Sequence, residues 1–147
     1  MAGDWQVDTR RLWVAGAAIA VIAALTAAVG WFFFSQVFSA NLQISRGALS
    51  ESNVEEMTIW SAMIVAFVAA LVATALLQLL LTQVPNGERF FRWVALLLFL
   101  VTLIPVFQMP GMSAADRVWQ LLLHLLVYLA IVPTLSTLVP RVATRMR

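Results

Sequence analysis

Four long apolar stretches separated by short polar ones set the layout of this chain. Leu12 to Phe34 runs 23 residues without a charge, enough at ~1.5 Å per residue to cross a hydrocarbon core of ~30 Å. The next segment, about 35–53, turns polar with Arg46, Gly47 and Glu51, and reads as an extracytoplasmic loop. Ser52-x-x-Glu55 and Asn53-x-x-Glu56 both have the spacing of a capping box, so a second helix is expected over about 54–81, entering the membrane near Trp60. Val84-Pro85-Asn86-Gly87 then allows only a tight turn. A third helix is expected over about 90–109, interrupted by Pro105, and a fourth over about 117–138, with Ser113-x-x-Asp116 as its cap signal. The expected fold is all-α: one transmembrane domain over 1–147, built as a four-helix bundle. A cleaved export signal starting at Arg10-Arg11 is the rival reading of the first stretch, but the apolar region of such signals spans only ~7–15 residues.

Composition supports the membrane class. The chain is 63% hydrophobic and 11% charged, with a mean hydropathy of +0.94, against roughly 25% charged residues in soluble domains. Cysteine is absent, which excludes disulfides, thiolate metal sites and cysteine nucleophiles. All nine basic residues are arginines. If both termini are cytoplasmic, Arg10, Arg11, Arg89, Arg92, Arg141, Arg145 and Arg147 lie inside and only Arg46 and Arg117 outside, a positive-inside bias that predicts an N-in/C-in topology. The bland account of those arginines is attraction to anionic lipid, so no nucleic-acid partner is expected. Trp13 and Trp93 then fall at the inner interface, and Trp31, Trp60 and Trp119 at the outer one.

Residue size marks the packing surfaces. Gly16, Ala20, Ala24 and Ala28 recur every four residues on the first helix, and Ala62, Ala66, Ala70 and Thr74 do so on the second. Small residues at that interval let backbones approach closely, so antiparallel docking of these two helices is expected, with a homo-oligomer seam as the alternative use of the same stripes.

Chemistry is sparse. No carboxylate falls within an apolar span, no phosphate-binding glycine loop or nucleophile elbow is present, and one histidine cannot build a metal or haem site alone. No catalytic, cofactor or metal site is therefore expected. The informative residue is His124, with Gln120 four positions before it and Tyr128 four after, a single polar stripe on the fourth helix. Depth counting places His124 ~9 Å from the outer end, Thr102 ~10 Å, Thr26 ~12 Å and Tyr128 ~15 Å, with Gln78 far deeper. Pro105 leaves the Val101 carbonyl without its helical donor, so a hydrogen bond from His124 or Tyr128 to Val101 or Thr102 is the structural expectation. The functional alternative is a small outward-facing polar pocket around His124, with Gln120, Tyr128, Thr102 and Thr26. Pro133 similarly frees the Leu129 carbonyl, for which Thr74 is the expected donor by depth.

Leu103-Ile104-Pro105-Val106, Ser113-Ala114-Ala115-Asp116-Arg117, Leu121-Leu122-Leu123-His124-Leu125 and Ile131-Val132-Pro133-Thr134-Leu135 together resemble a family of small four-helix actinobacterial membrane proteins known only as a domain of unknown function. The resemblance covers residues 88 to 140 and implies the fold, but no activity. The first functional expectation is an interaction or accessory subunit in a bacterial inner membrane, not an enzyme, with the bilayer and either a membrane-protein partner or a second copy as its contacts. The alternative is a binder or carrier of a small molecule or lipid, using the His124 pocket.

Overall fold

A computed structural model describes residues 5–45, 53–84 and 86–145. Within them the chain runs β1 (Trp5–Val7), α1 (Thr9–Phe32), one π-helical turn (Phe33–Val37), β2 (Gln43–Ser45), β3 (Val54–Glu56), α2 (Ile59–Gln83), α3 (Gly87–Gln108), α4 (Ala114–Val142) and β4 (Ala143–Arg145). All four α-helices are long and apolar enough to cross a membrane. The protein has the build of a multi-pass membrane protein, and two three-residue ladders add a little strand to an otherwise helical fold.

The helix ends follow local chemistry. The α1 start lies three residues before Leu12, because the Asp8 carboxylate accepts from the Arg11 backbone N–H at 3.0 Å and pairs with its guanidinium at 3.1 Å. The expected start of the second helix near residue 54 is corrected. Val54–Glu56 instead pairs antiparallel with Gln43–Ser45, which satisfies backbone groups that a helix would otherwise claim. The capping box that operates is Thr58 with Ser61: Thr58 Oγ1 accepts from Ser61 N–H at 3.2 Å and Ser61 Oγ from Thr58 N–H at 3.0 Å. Of the two boxes read from the sequence, Asn53 and Glu56 lie in and beside this ladder, and Ser52 lies outside the described residues.

The α3 helix begins at Gly87, earlier than residue 90. Asn86 takes a left-handed conformation (φ 59°), and a Cβ on Gly87 would lie 2.3 Å from the Leu80 carbonyl oxygen. Glycine alone lets α3 start against the end of α2 at this distance. The cap expected for the fourth helix is present, since Ser113 Oγ accepts from Asp116 N–H at 3.1 Å. It starts α4 at Ala114, and the helix runs through Pro133 and Pro140 to Val142, as apolar helices with packed neighbours tolerate proline.

Packing centres on α1, which meets α2 and α4 most extensively. Gly16, Ala20 and Ala24 are buried and Ala28 half-buried, while Ala62, Ala66, Ala70 and Thr74 are all buried on α2. The approach is closest at Gly16, where an added Cβ would fall 2.4 Å from Thr74 Cγ2. Further along α1, a Cβ at Gly30 would fall 2.8 Å from Leu123 Cδ1 of α4. Thr74 itself does not reach the carbonyl released by Pro133. Its hydroxyl donates to Ala70 in its own helix at 2.8 Å, the nearer acceptor.

Both termini meet at one end of the bundle, where β1 pairs antiparallel with β4. Near that end Trp13 Nε1 donates to Gln78 Oε1 at 2.6 Å. The β2–β3 hairpin covers the other end. Trp31 Nε1 donates to the Met57 carbonyl at 2.7 Å, and Trp119 stacks on Phe38 with ring centroids 4.5 Å apart. The Trp31 bond ties the residue after β3 to α1, and the Trp119 stack ties the turn after α1 to α4.

Candidate functional site: a cavity between three helices

Beyond the Gly87–Leu80 contact, α2 and α3 form opposite walls of a cavity of about 870 Å³. Ala69 and Ala73 stand on the α2 wall and Ala95 and Phe99 on the α3 wall, and α4 closes the back with Leu123, His124, Val127 and Tyr128. Phe91, fully buried, stands near the narrow turn end. At the other end the roof is Gln43, Ile44 and Ser45 of β2, with Met57. Val65 and Val72 of α2 and Leu98 of α3 line the cavity yet remain about half exposed, so the α2–α3 side is open where the two helices would otherwise pack. In a bilayer that opening faces lipid.

The small size of the α2 wall residues creates this space. Ala62, Ala66 and Ala70 give α1 its close approach, and Ala69 and Ala73, on the neighbouring face, leave room opposite α3. The volume lies within the ~300–1,000 Å³ of pockets that hold small molecules, and the lining is mainly apolar with a few polar groups.

Gln120 is 1% exposed and is committed to structure. Its Nε2 donates to the Gln43 carbonyl at 3.0 Å and its Oε1 accepts from the Gln43 N–H at 3.3 Å. The side-chain amide thus imitates a neighbouring strand. One turn earlier on α4, Asp116 accepts from the Asn41 N–H at 2.8 Å. Two α4 side chains therefore hold the roof in place. Sequence reading missed this clasp because the backbone groups of an irregular loop leave no residue signature.

The expected interhelical bond of His124 is also corrected. His124 Nδ1 lies 2.9 Å from the Gln120 carbonyl in its own helix, and Thr102 Oγ1 donates to Phe99 in its own helix at 2.7 Å. Each side chain takes the acceptor one turn back, which costs no helix rotation, so neither reaches across to Val101. Tyr128 packs its ring on Phe99, with centroids 4.5 Å apart. Among the described residues no hydrogen-bond partner reaches Tyr128 Oη or His124 Nε2, and Gln43 Oε1 is buried without one. His124, Tyr128, Thr102 and Gln120 all line the cavity. Thr26 does not, since α1 contributes only Ala27 there. Gln43 is the site residue the sequence did not suggest, because it lies on a loop whose fold was not legible.

The arrangement can hold an elongated apolar molecule and hydrogen-bond one end of it. Among the described residues no charged side chain lines the cavity, and no group of acids and histidines able to hold a metal occurs. No curated protein and no solved structure matches the chain. A family model does, over residues 7–141, so the likeness extends through the first two helices as well as the 88–140 segment that carried the resemblance. The chain belongs to the family of unknown function DUF6069.

Proposed function

We propose that this protein binds an apolar, lipid-like small molecule within the membrane, in the cavity between α2, α3 and α4. One observation carries the reading: an 870 Å³ cavity with a wide apolar body and two polar groups on α4, His124 Nε2 and Tyr128 Oη, that no partner reaches among the described residues. Small-molecule sites have this composition, apolar walls with a few polar groups that fix orientation. A packed structural bundle would close such a space, because dispersion contacts are the main attraction between helices in lipid.

The arginine distribution supports an orientation with the termini in the cytoplasm and the roof on the outer face of a bacterial inner membrane. The molecule then comes from the outer leaflet through the α2–α3 opening. An accessory role is the second reading, favoured by α3, the least buried of the four helices, whose outward face leaves room for a helix of a membrane-protein partner or a second copy. An actinobacterial source fits the all-arginine, alanine-rich composition.

Native mass spectrometry of the full chain in mild detergent tests the binding reading. The wild type should carry a non-covalent adduct, or acquire one on incubation with oleyl alcohol. Ala69→Trp, which fills the cavity from its exposed side, should lose the adduct and keep its thermal stability. Wild-type protein that stays bare under both conditions would refute binding. A stoichiometric protein partner on affinity purification, together with bare protein, would select the accessory role.

A further inference from the structure

The polar groups facing the cavity differ in what they can offer a ligand. His124 Nδ1 is 2.9 Å from the Gln120 carbonyl oxygen, and a carbonyl only accepts, so Nδ1 carries the hydrogen. In the neutral ring the other nitrogen, Nε2, then holds a lone pair and is an acceptor. Gln43 Oε1, at the roof, also lacks a donor, but it is closed off from the cavity and from solvent alike. The two residues belong to one connected group, because Gln120 binds the Gln43 backbone with its side chain and the His124 ring with its carbonyl. Tyr128 Oη, one turn deeper on α4, can donate or accept. His124 Nε2 is therefore the acceptor the cavity offers, in a place where unsatisfied polar atoms are costly.

Resting on the binding reading above, we infer that the ligand is a neutral lipid whose head carries a hydroxyl, seated with that hydroxyl donating to His124 Nε2 and its chain lying along the alanine wall of α2. Ethers, esters and quinones, whose oxygens only accept, leave this acceptor unpaired. Phosphate, carboxylate and ammonium heads meet no charged partner among the described residues, none of those that line the cavity being Arg, Lys, Asp or Glu. A hydroxyl supplies the missing donor, and its own oxygen can accept from Tyr128.

The test compares heads on one chain. Oleyl alcohol, methyl oleyl ether and oleate are titrated against the purified full-length protein in detergent, with bound fractions read by native mass spectrometry. The alcohol should bind about tenfold more tightly than the ether, the discrimination expected for one satisfied buried acceptor. His124→Phe should shrink that ratio while leaving ether binding as it was. Equal binding of alcohol and ether, or tighter binding of oleate, overturns the hydroxyl inference and leaves the cavity reading standing. An alcohol preference unchanged in His124→Phe overturns the assignment to this acceptor. Failure of all three probes to bind, or binding that survives Ala69→Trp, overturns the cavity reading and the inference with it.

Discussion

Gly16 of α1 lies so close to Thr74 of α2 that a Cβ on the glycine would fall 2.4 Å from Thr74 Cγ2 and 3.0 Å from Thr74 Cβ. Gly16→Ala should therefore destabilise the bundle by ~1–3 kcal/mol, the usual range for overpacking. The double variant with Thr74→Gly, which removes the three atoms the new methyl would meet first, should recover most of the loss. Leu97→Ala on the exposed face of α3 should matter less, Leu97 being 60% exposed. Thermal unfolding in detergent distinguishes these cases. No loss for Gly16→Ala would mean the helices have room to part.

The roof clasp gives a second expectation. Gln120→Leu removes both bonds to the Gln43 backbone and strands a half-buried N–H and C=O, which should cost about 1–3 kcal/mol. Limited proteolysis should then cut the connection between α1 and α2 sooner than in the wild type. Asp116→Ala, which frees the Asn41 N–H and removes the carboxylate that accepts from the Ser113 hydroxyl, should act in the same direction. Unchanged cleavage in both variants would show that the aromatic contacts alone hold the hairpin.

His124 separates stability from binding. Its hydrogen bond is local to α4, so His124→Leu should change stability by less than about 1 kcal/mol, no partner helix being abandoned. Retention of oleyl alcohol should nevertheless fall. A large drop in melting temperature would point to an interhelical bond, which the observed geometry lacks.

Orientation can be read directly, because the chain has no cysteine. Ser113→Cys sits at the roof end and Asn86→Cys in the turn at the opposite end, both at exposed positions. An impermeant thiol reagent applied to intact cells should label the first and spare the second, following the seven-to-two division of arginines. Labelling of Asn86→Cys from outside, with the membrane sealed, would reverse the topology.

Length and hydropathy along the sequence determined the four helices, because ~20 apolar residues are what a bilayer requires and little else produces such runs. The size pattern of Gly16, Ala20 and Ala24 against Ala66, Ala70 and Thr74 likewise announced a close helix contact, since backbone approach in lipid depends on what side chains leave out. Polar pairing was a different matter. His124, Thr102 and Thr74 had equal claims on several carbonyls by depth, and each took the one in its own preceding turn, a choice set by rotamer and helix rotation. Gln43 carries no motif. It entered the site because a three-residue ladder with Val54–Glu56 and a side-chain amide on α4 fixed the loop above the cavity. The cavity itself belongs to the tertiary structure, because its volume depends on how far α2 and α3 part beyond Gly87, a distance between chain segments that the order of residues along either one does not contain.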